Sequence, residues 1–600
     1  MIGGYMGKVL FVNLSTGEIK EEMPDESLYR DYIGGYGLGA RILYNRMKPG
    51  IDALGPDNIL GLITGPLTGT PAVTGTRYAA VAKSPITGGW GDANSGGYFG
   101  PYLKFAGYDA VFFTGIAEKP AYLFINDGKA SLKDATHLWG KDTYETEDMI
   151  KAELGDDVES VCIGPSGEKI ALTACIVTQR GAVCGRSGLG AVLGSKKLKA
   201  VAVRGKMDVP LADKDAVTTL RNDHIARLRQ PRPNGFSMID MFHKYGTSFM
   251  AVPAAHSGDS PVKNWGGIGI VDFKDIDGLS GDAAIANIDR RTGCWHCPIA
   301  CEARLKAGTG EYKYPAGIRR IEYETQATFG ILCLNNNTES LNMINHICNS
   351  YGLDTISGGN IMAFAIECYE NGILTKNDTD GIELTWGNHR AIVDMTWKMA
   401  KREGLGDILA DGVKVAAEKI GKSAETYAVH IGGQELGMHD PKLSGQPDST
   451  AAARYQMDAT PGRHTAGFGP SSFHSKIMNA AGVCMFASMG QAEVVASYMK
   501  AVTGLDRSQE DLAKAGERIT NIRHAFNLRE GICEKKWPVH PRIIGLPPQT
   551  EGPLAGVTAD LEKQVNDNLI ALDWDLETTV PSKEKLLELG LNDIAGEFWP

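Results

Sequence analysis

Cys294, Cys297 and Cys301, in the run Cys-Trp-His-Cys-Pro-Ile-Ala-Cys, constrain this chain more than any other stretch. Three thiolates at C-x2-C-x3-C spacing can converge on one soft metal centre. A [4Fe–4S] cluster takes four such ligands, and the fourth is often remote in sequence. Zinc also takes four, usually as two matched pairs, and the chain has no second C-x2-C pair. His296 adjoins Cys297, so both would have to turn toward one ion, a poor geometry for a Cys2His2 site. The spacing favours an iron–sulfur cluster over zinc, and either over three unliganded buried thiols.

Six hundred residues exceed what one hydrophobic core sustains, so about two to four domains are expected. The 73 glycines imply many turns and close backbone approaches. The net charge is -11, Lys and Arg are dispersed, and the absence of a basic tract argues against nucleic-acid binding. The opening MIGGYMGKVLFVNL has one lysine and no long apolar run, so it does not read as a signal peptide. No stretch is long and apolar enough for a membrane span. A cytoplasmic protein is expected, whose eleven cysteines are thiols and metal ligands rather than disulfides. Cys162, Cys175, Cys184, Cys348 and Cys368 lie among apolar neighbours and read as small buried hydrophobes.

Up to about residue 205 the chain reads as β-rich. Lys8–Leu14, Tyr78–Val81, Ala110–Thr114, Tyr122–Ile125 and Leu198–Val203 are β-branched or aromatic runs punctuated by Gly, Pro, Asn or Asp. Gly34–Gly39 imitates a dinucleotide fingerprint without its downstream acid or βαβ context. Two Gly-rich patches, Gly75-Thr-Arg77 with Gly91–Gly97 and Arg180–Gly190, combine exposed backbone N–H groups with arginine forks. Two patches of one chemistry suit a large anionic ligand with phosphate oxygens. Residues 206–216 read as a linker and helix start. Beyond them Thr338–Tyr351, Asn360–Glu370, His389–Glu403 and Ser508–His524 have helical apolar spacing. The Pro/Gly-rich run Gln434–Pro470 reads as a long functional loop region.

The helical part contains an echo. Asn349-Ser-Tyr-Gly-Leu-Asp354 and Asn479-Ala-Ala-Gly-Val-Cys484 share the form Asn-x-x-Gly-apolar-(Asp/Cys), each after a helical stretch. Two copies suggest a pseudo-symmetric site for a ligand with two similar halves. Cys484 is therefore a candidate for the cluster's fourth ligand, and Cys333, nearer in sequence, is its competitor.

GKVLFVNLSTGEI, IGGYGLGAR, TGTRYAAVAKSP, NSGGYFGPYLKFAGYDA, GRSGLGAVLGSKKLKAVAVRG, CWHCPIAC, EYET, CNSYGLDTISGGN and FNLREGI together run through nearly the whole chain. In these the sequence resembles the tungsten-containing aldehyde:ferredoxin oxidoreductase family. The resemblance implies an α+β protein: an N-terminal β-rich cofactor base, 1–208, followed by two mainly helical domains, 209–415 and 416–600. It also implies a tungsten held by the dithiolenes of two pyranopterins, a nearby [4Fe–4S] cluster, and Mg2+ bridging the pterin phosphates.

Carried across residue by residue, the resemblance assigns Cys294, Cys297, Cys301 and Cys484 to the cluster. Arg77, Asn94, Gly96, Arg186 and Ser187 would meet the phosphates or magnesium. Asn349, Leu353 and Asp354 would hold one pterin, and Asn479 and Val483 the other. The family opens each repeat with Asp where this chain has Asn349 and Asn479, so an amide replaces a carboxylate at the pterin's amino edge. Lys442 stands where the family often has arginine after Asp-Pro.

Glu324 and His439 match the family's active-site glutamate and histidine, with Glu322 a further proton-handling carboxylate. Glu322 and Glu324 flank Tyr323, and in an extended segment they would face one side, where their pKa values could be pushed apart. The implied reaction oxidises an aldehyde to a carboxylic acid and passes electrons to ferredoxin or a partner iron–sulfur subunit. A low-potential reductase of the benzoyl-CoA type, acting on an acyl substrate with Cys333 on the tungsten, is the runner-up. A cluster-only electron-transfer subunit is a third reading, which the Arg77, Asn94 and Arg186 set opposes. The resemblance leaves room for a homodimer or a larger complex.

Overall fold

The computed structural model describes residues 2–233, 235–444, 451–465, 467–488 and 491–600. Strands up to Arg204 form two six-stranded sheets that repeat one another. The first runs Glu18–Glu22, Val9–Asn13, Ala110–Thr114, Leu60–Thr64, Tyr78–Lys83, Trp90–Ser95. The second runs Lys129–Asp134, Ala121–Asn126, Leu198–Arg204, Glu159–Cys162, Ile176–Thr178, Ala182–Cys184. In both, the second and third strands pair in parallel and every other neighbouring pair is antiparallel. The β region is thus a topological duplication.

The sheets share a core. Leu62, Ala80 and Ala82 of the first pack with Leu123, Val161 and Val201 of the second. On the first sheet's other face Ile63 and Val81 cluster with Leu38 and Ile42 of the helix Gly35–Arg46. Covered on both faces, Leu60–Thr64 and Tyr78–Lys83 are buried along their whole length and read as unbroken apolar runs. The outermost strands Glu18–Glu22 and Lys129–Asp134 are charged and largely exposed, which discourages edge pairing.

Several expectations are corrected here. Gly91–Ser95 belongs to an edge strand and not to a loop: Gly91 pairs with Ala82 and Asn94 with Ala79. Glycine is needed at 91 because a Cβ there would press on Ser84, the Ala82 carbonyl and Ser187. Gly34–Gly39 opens a helix and serves packing. A Cβ on Gly34 would lie 2.9 Å from the Ala480 carbonyl oxygen, and one on Gly35 2.7 Å from that of Asn479. Residues 206–216 are a strap and not a free linker: Met207 N donates to Phe105 O, and Ala212 and Asp213 donate to Val502 and Ala501. Asp213 then caps the helix Lys214–Leu228.

The helices Thr338–Tyr351, Thr355–Glu370, His389–Lys401 and Gln509–Arg529 follow the expected periodicities. The second begins five residues before Asn360, because Asp354 caps it by accepting from Ile356 N and Ser357 N. Gly359 lets this helix pack against Thr328. Within 434–470 the helix Ala451–Met457 interrupts the expected loop region, of which 445–450 and 466 lie outside the described residues. Among the described residues no helix is long and apolar enough to cross a membrane.

Candidate active site

The two repeats of the helical region dock on equivalent points of the duplicated β region. The helix Thr338–Tyr351 ends at Gly352, and the helix Phe473–Ala481 ends at Gly482. Both glycines are left-handed, with φ 79° and 83°, where a side chain would be strained. Leu353 N returns to Cys348 O, and Val483 N returns to Met478 O. The Gly352 carbonyl accepts from Cys175 N at 2.9 Å, and the Gly482 carbonyl accepts from Arg77 N at 3.0 Å. Asp354 N donates to Thr173 O at 3.0 Å, and Cys484 N donates to Thr74 O at 3.2 Å. Gly164 and Gly65 leave room for the backbone of Tyr351 and Ala481, the residues just before the capping glycines. Gly65 to Thr74 and Gly164 to Thr173 have the same spacing in sequence. Each repeat thus meets its own half of the β region.

Each repeat also ends on an arginine. Arg77 Nη2 donates to Cys484 Sγ at 3.2 Å, and Arg186 Nε lies 3.5 Å from Asp354 Oδ2. Arg77 Nη1 donates to Asn94 Oδ1 at 3.1 Å, and Asn94 Nδ2 donates to Asn479 Oδ1 at 2.8 Å. In the other half Asn349 Nδ2 donates to Asn345 Oδ1 at 3.2 Å, and a Cβ on Gly181 would meet Asn349 Nδ2 at 2.9 Å.

The sulfurs gather around Arg77. Burial works against its charge, but Cys484, Cys294 and Cys301 outweigh it and raise its pKa. A Cβ on Gly96 would lie 2.8 Å from Cys294 Sγ and 3.6 Å from Arg77 Nε. Burial pushes the Cys294 thiol up to about 12, and raises Cys297 and Cys301 as well. Thiols so disposed become thiolates only on a metal. Among the described residues no three cysteine sulfurs lie within 4.8 Å of one another. The Cys333 thiol is fully buried in the core and directed at the Thr328 carbonyl, 3.3 Å away.

A cavity of about 240 Å³ lies beside this arrangement. Its walls include Asn94, Gly181, Gly185, Arg186, Arg319, Arg320, Glu322, Glu324, Asn349, Asp354 and Arg463. Arg186, Arg319 and Arg320 each bury a guanidinium with Nε and Nη1 lacking a hydrogen-bond partner. Such orphaned forks suit phosphate or another polyanion. Gly181 and Gly185 keep the wall bare where a Cβ would press on Asn349 and Asp354. The residues fit a large two-part anionic cofactor beside a thiolate-held cluster. Arg319, Arg320 and Arg463 were not anticipated; the Arg-Arg pair just before Glu322 was the available signal.

Two of the expected cofactor contacts stand differently. Ser187 lies behind the wall: its N–H donates to Gln434 Oε1 and its hydroxyl to Asp92 O. Arg180 turns to the surface, where it pairs with Asp148. Leu353 and Val483 are buried beneath their repeats. Lys442 is buried on Asp440 Oδ2 at 2.8 Å and the Arg542 carbonyl at 3.0 Å.

The acid–base residues cluster tightly. Glu324 Oε1 lies 3.2 Å from His464 Nδ1 and 3.8 Å from His439 Nε2. Met438 N donates to Glu324 Oε2 at 3.1 Å. His439 Nδ1 is 2.8 Å from Asp259 Oδ2. Burial raises the Glu324 pKa, and His439 offsets part of this. Burial works against a charged His439, but Asp259 and Glu324 outweigh it and raise its pKa. Burial and the neighbouring His439 and Arg186 drive His464 well below the imidazole range, so it is neutral. A neutral imidazole, His464, and a second imidazole whose charged form is favoured, His439, therefore face one carboxyl group, a set able to give and take a proton.

Glu322 does not share the geometry expected for an extended Glu-Tyr-Glu. It precedes the short helix Tyr323–Gln326, accepts from Thr247 Oγ1 at 2.5 Å, and lies 3.7 Å from Arg319 and Arg320. Both carboxylates line the cavity, but only Glu324 meets the histidines. A π-helical turn, Ala327–Ile331, follows Glu324, a local irregularity often found at functional sites. His464 and Asp259 were missed because neither belongs to a recognisable motif; contact across the fold alone brings them to His439.

Helices cap this duplicated β base and arginines line its cavity. Residues 9–205 match the profile of the aldehyde ferredoxin oxidoreductase N-terminal domain, and 229–474 and 472–591 match that of its domains 2 and 3. The chain is 36% identical to the tungsten-containing aldehyde ferredoxin oxidoreductase of Pyrococcus furiosus over 98% of its own length and 99% of the relative's. It is 30% identical to the aliphatic sulfonate oxidoreductase, WOR-like subunit, of the same organism, covering 99% and 98%. A chain of the active-site complex BamBC of benzoyl coenzyme A reductase with 1,5-dienoyl-CoA superposes with TM-score 0.83 at 25% identity, covering 100% and 99%. The chain belongs to the aldehyde ferredoxin oxidoreductase family.

Proposed function

We propose that this chain oxidises an aldehyde to a carboxylic acid, RCHO + H2O → RCOOH + 2 H+ + 2 e−, and passes the electrons to ferredoxin or a partner iron–sulfur subunit. The observation that carries the reading is the doubled docking of Gly352 and Gly482 on the duplicated β region, with orphaned arginine forks beside it. A doubled site calls for a doubled cofactor, here a tungsten bis-pyranopterin. When bound, that cofactor and a [4Fe–4S] cluster supply two-electron redox chemistry and single-electron export.

The chain's own residues bind, orient and move protons. Arg186, Arg319 and Arg320 hold phosphate oxygens, with Mg2+ where two phosphates converge. Asn94 and Asn479 orient one pterin half, and Asn349 and Asp354 the other. Cys294, Cys297, Cys301 and Cys484 hold the cluster, half-buried near the exposed His296, so electrons have a short way out. Arg77 touches both Cys484 and Asn94 and so couples the cluster to the second repeat. Glu324 takes a proton from attacking water, with His464 and His439 as its partners. The proposed division into 1–208, 209–415 and 416–600 gives one repeat to each helical part.

Anaerobically purified protein should reduce viologen when an aldehyde is added and should carry tungsten. Reduction driven by a dienoyl-CoA, and not by aldehydes, would move the assignment to the benzoyl-CoA type. The likeness to a benzoyl-CoA reductase chain is what raises that second reading; the higher identity to the tungsten-containing aldehyde ferredoxin oxidoreductases does not favour it.

A further inference from the structure

We propose that Asp259 is the outer station of a proton relay running from Glu324 through His439 to solvent. The proposal rests on the aldehyde-oxidation reading, in which two protons must leave the cavity at each turnover. Glu324 lines the cavity; Asp259 does not. His439 stands between them, Nε2 facing Glu324 Oε1 at 3.8 Å and Nδ1 facing Asp259 Oδ2 at 2.8 Å. Asp259 is 15% exposed through its side chain, and its neighbours His256 and Ser257 are exposed. The backbone holds the dyad: Asp440 N donates to Asp259 O at 2.6 Å, and Tyr455 Oη donates to His439 O at 2.8 Å.

The groups facing the His439 ring are few. Besides Asp259 and Glu324 there are the His464 ring at 4.7 Å, the Tyr323 ring at 5.0 Å and the charge of Arg454. Asp440 is neutralised by Lys442 at 2.8 Å. His464 is the inner partner of Glu324 and has no carboxylate behind it that leads outward. Of the two histidines at Glu324, His439 is the one with an acid on each nitrogen among the described residues.

The transfer balances without a further reactant. The Glu324 O–H bond breaks as an N–H bond forms at His439 Nε2, across the 3.8 Å gap or through one water. The Nδ1–H bond then breaks as O–H forms at Asp259 Oδ2, and Asp259 returns the proton to bulk water. The ring is left as its Nε2–H tautomer and regains the Nδ1–H form by losing the Nε2 proton to water and taking one from water at Nδ1. Asp259 acts through His439 and never touches substrate, so it is a positioning and proton-accepting residue.

The test compares wild type with Asp259→Asn and Asp259→Glu, using tungsten and iron content, pH–rate profiles in H2O and D2O, and 15N-histidine titration. Asp259→Asn should keep both metals and KM and lose about tenfold or more in kcat. Its solvent isotope effect should grow, and the His439 titration should move to lower pH because an anion has left its side. Asp259→Glu should recover most of the rate. Unchanged kcat in Asp259→Asn would overturn the relay. So would a fallen kcat with an unmoved titration and isotope effect, which marks a structural role only. Should Asp259→Asn lose its metals, a wild-type His439 resonance that fails to titrate between about pH 5 and 9 overturns it. If wild type oxidises no aldehyde, the functional reading fails instead, and the titration still reports on the dyad.

Discussion

Arg77 Nη2 lies 3.2 Å from Cys484 Sγ, at the point where the second repeat meets the cysteine motif. The first repeat has Arg186 beside Asp354 in the corresponding place. One half of the site therefore ends in a thiol and the other in a carboxylate.

Cys484→Ser should lower bound iron and lose the four-iron cluster, as should serine at Cys294, Cys297 or Cys301. Cys333→Ser should keep it, because that thiol is buried against Thr328 O in the core. Iron analysis with electronic spectra reads this out. A full cluster in Cys484→Ser together with its loss in Cys333→Ser would reassign the fourth ligand.

Replacing both Arg77 and Arg186 by alanine should release the pterin, since Arg186 loses its fork for phosphate and Asn94, which orients one half, loses its tie to Arg77. Tungsten analysis after gel filtration is the check. Retention of stoichiometric tungsten would refute the cradle.

Glu324→Gln, His464→Ala and His439→Ala should each retain tungsten and iron and lose about 10²–10⁴ in kcat. His464 is the nearer histidine to Glu324, 3.2 Å against 3.8 Å, so its loss should be the larger. Near-normal turnover in all three would send the protons by another route, with Glu322 next to test.

The pH profile has a predicted sign. Asp259 and Glu324 raise the His439 pKa, so activity that needs its neutral form should rise on an acid limb centred above the ordinary imidazole value of about 6.5. His464 is driven the other way and stays neutral throughout. His439→Gln should abolish that limb, and a limb left in place would assign it elsewhere.

The domains are bolted together beside this site. Arg523 Nη2 lies 2.7 Å from Asp92 and 2.9 Å from Asp458, and Arg463 meets Asp92 at 2.6 Å. Removing one partner strands a buried charge, so Arg523→Ala should cost about 3–5 kcal/mol in denaturant unfolding. Arg523 and Lys476 hold the Asp458 carboxyl far below its usual range, against burial. A depressed carboxylate pKa stabilises fully above the unfolded value of about 4 and loses that contribution as pH falls through the folded one. Asp458→Asn should flatten the acid limb of the stability curve.

What could be read from the sequence was local. The Cys294–Cys301 motif, the strand Ala110–Thr114 and the helix Thr338–Tyr351 announce themselves by spacing and periodicity. The Asn349 and Asn479 repeats suggest a doubled site. That the β region is doubled to match stayed hidden, because topology recurs there while side chains do not: Arg77 N and Cys175 N fill one role with different residues. Trp90–Ser95 looked like a loop because close packing demanded Gly91. His464, Asp259 and Arg463 reach the site from segments without a motif, and only the fold brings them there.

The central claim is that a duplicated base holds one metal between two similar cofactor halves. It is tested most directly by counting metals and pterin in the same anaerobic sample. The account predicts one tungsten, two pterins and four irons per chain, with tungsten and pterin lost together in the Arg77/Arg186 double variant. One pterin per chain, or two pterins that survive that double substitution, would contradict it.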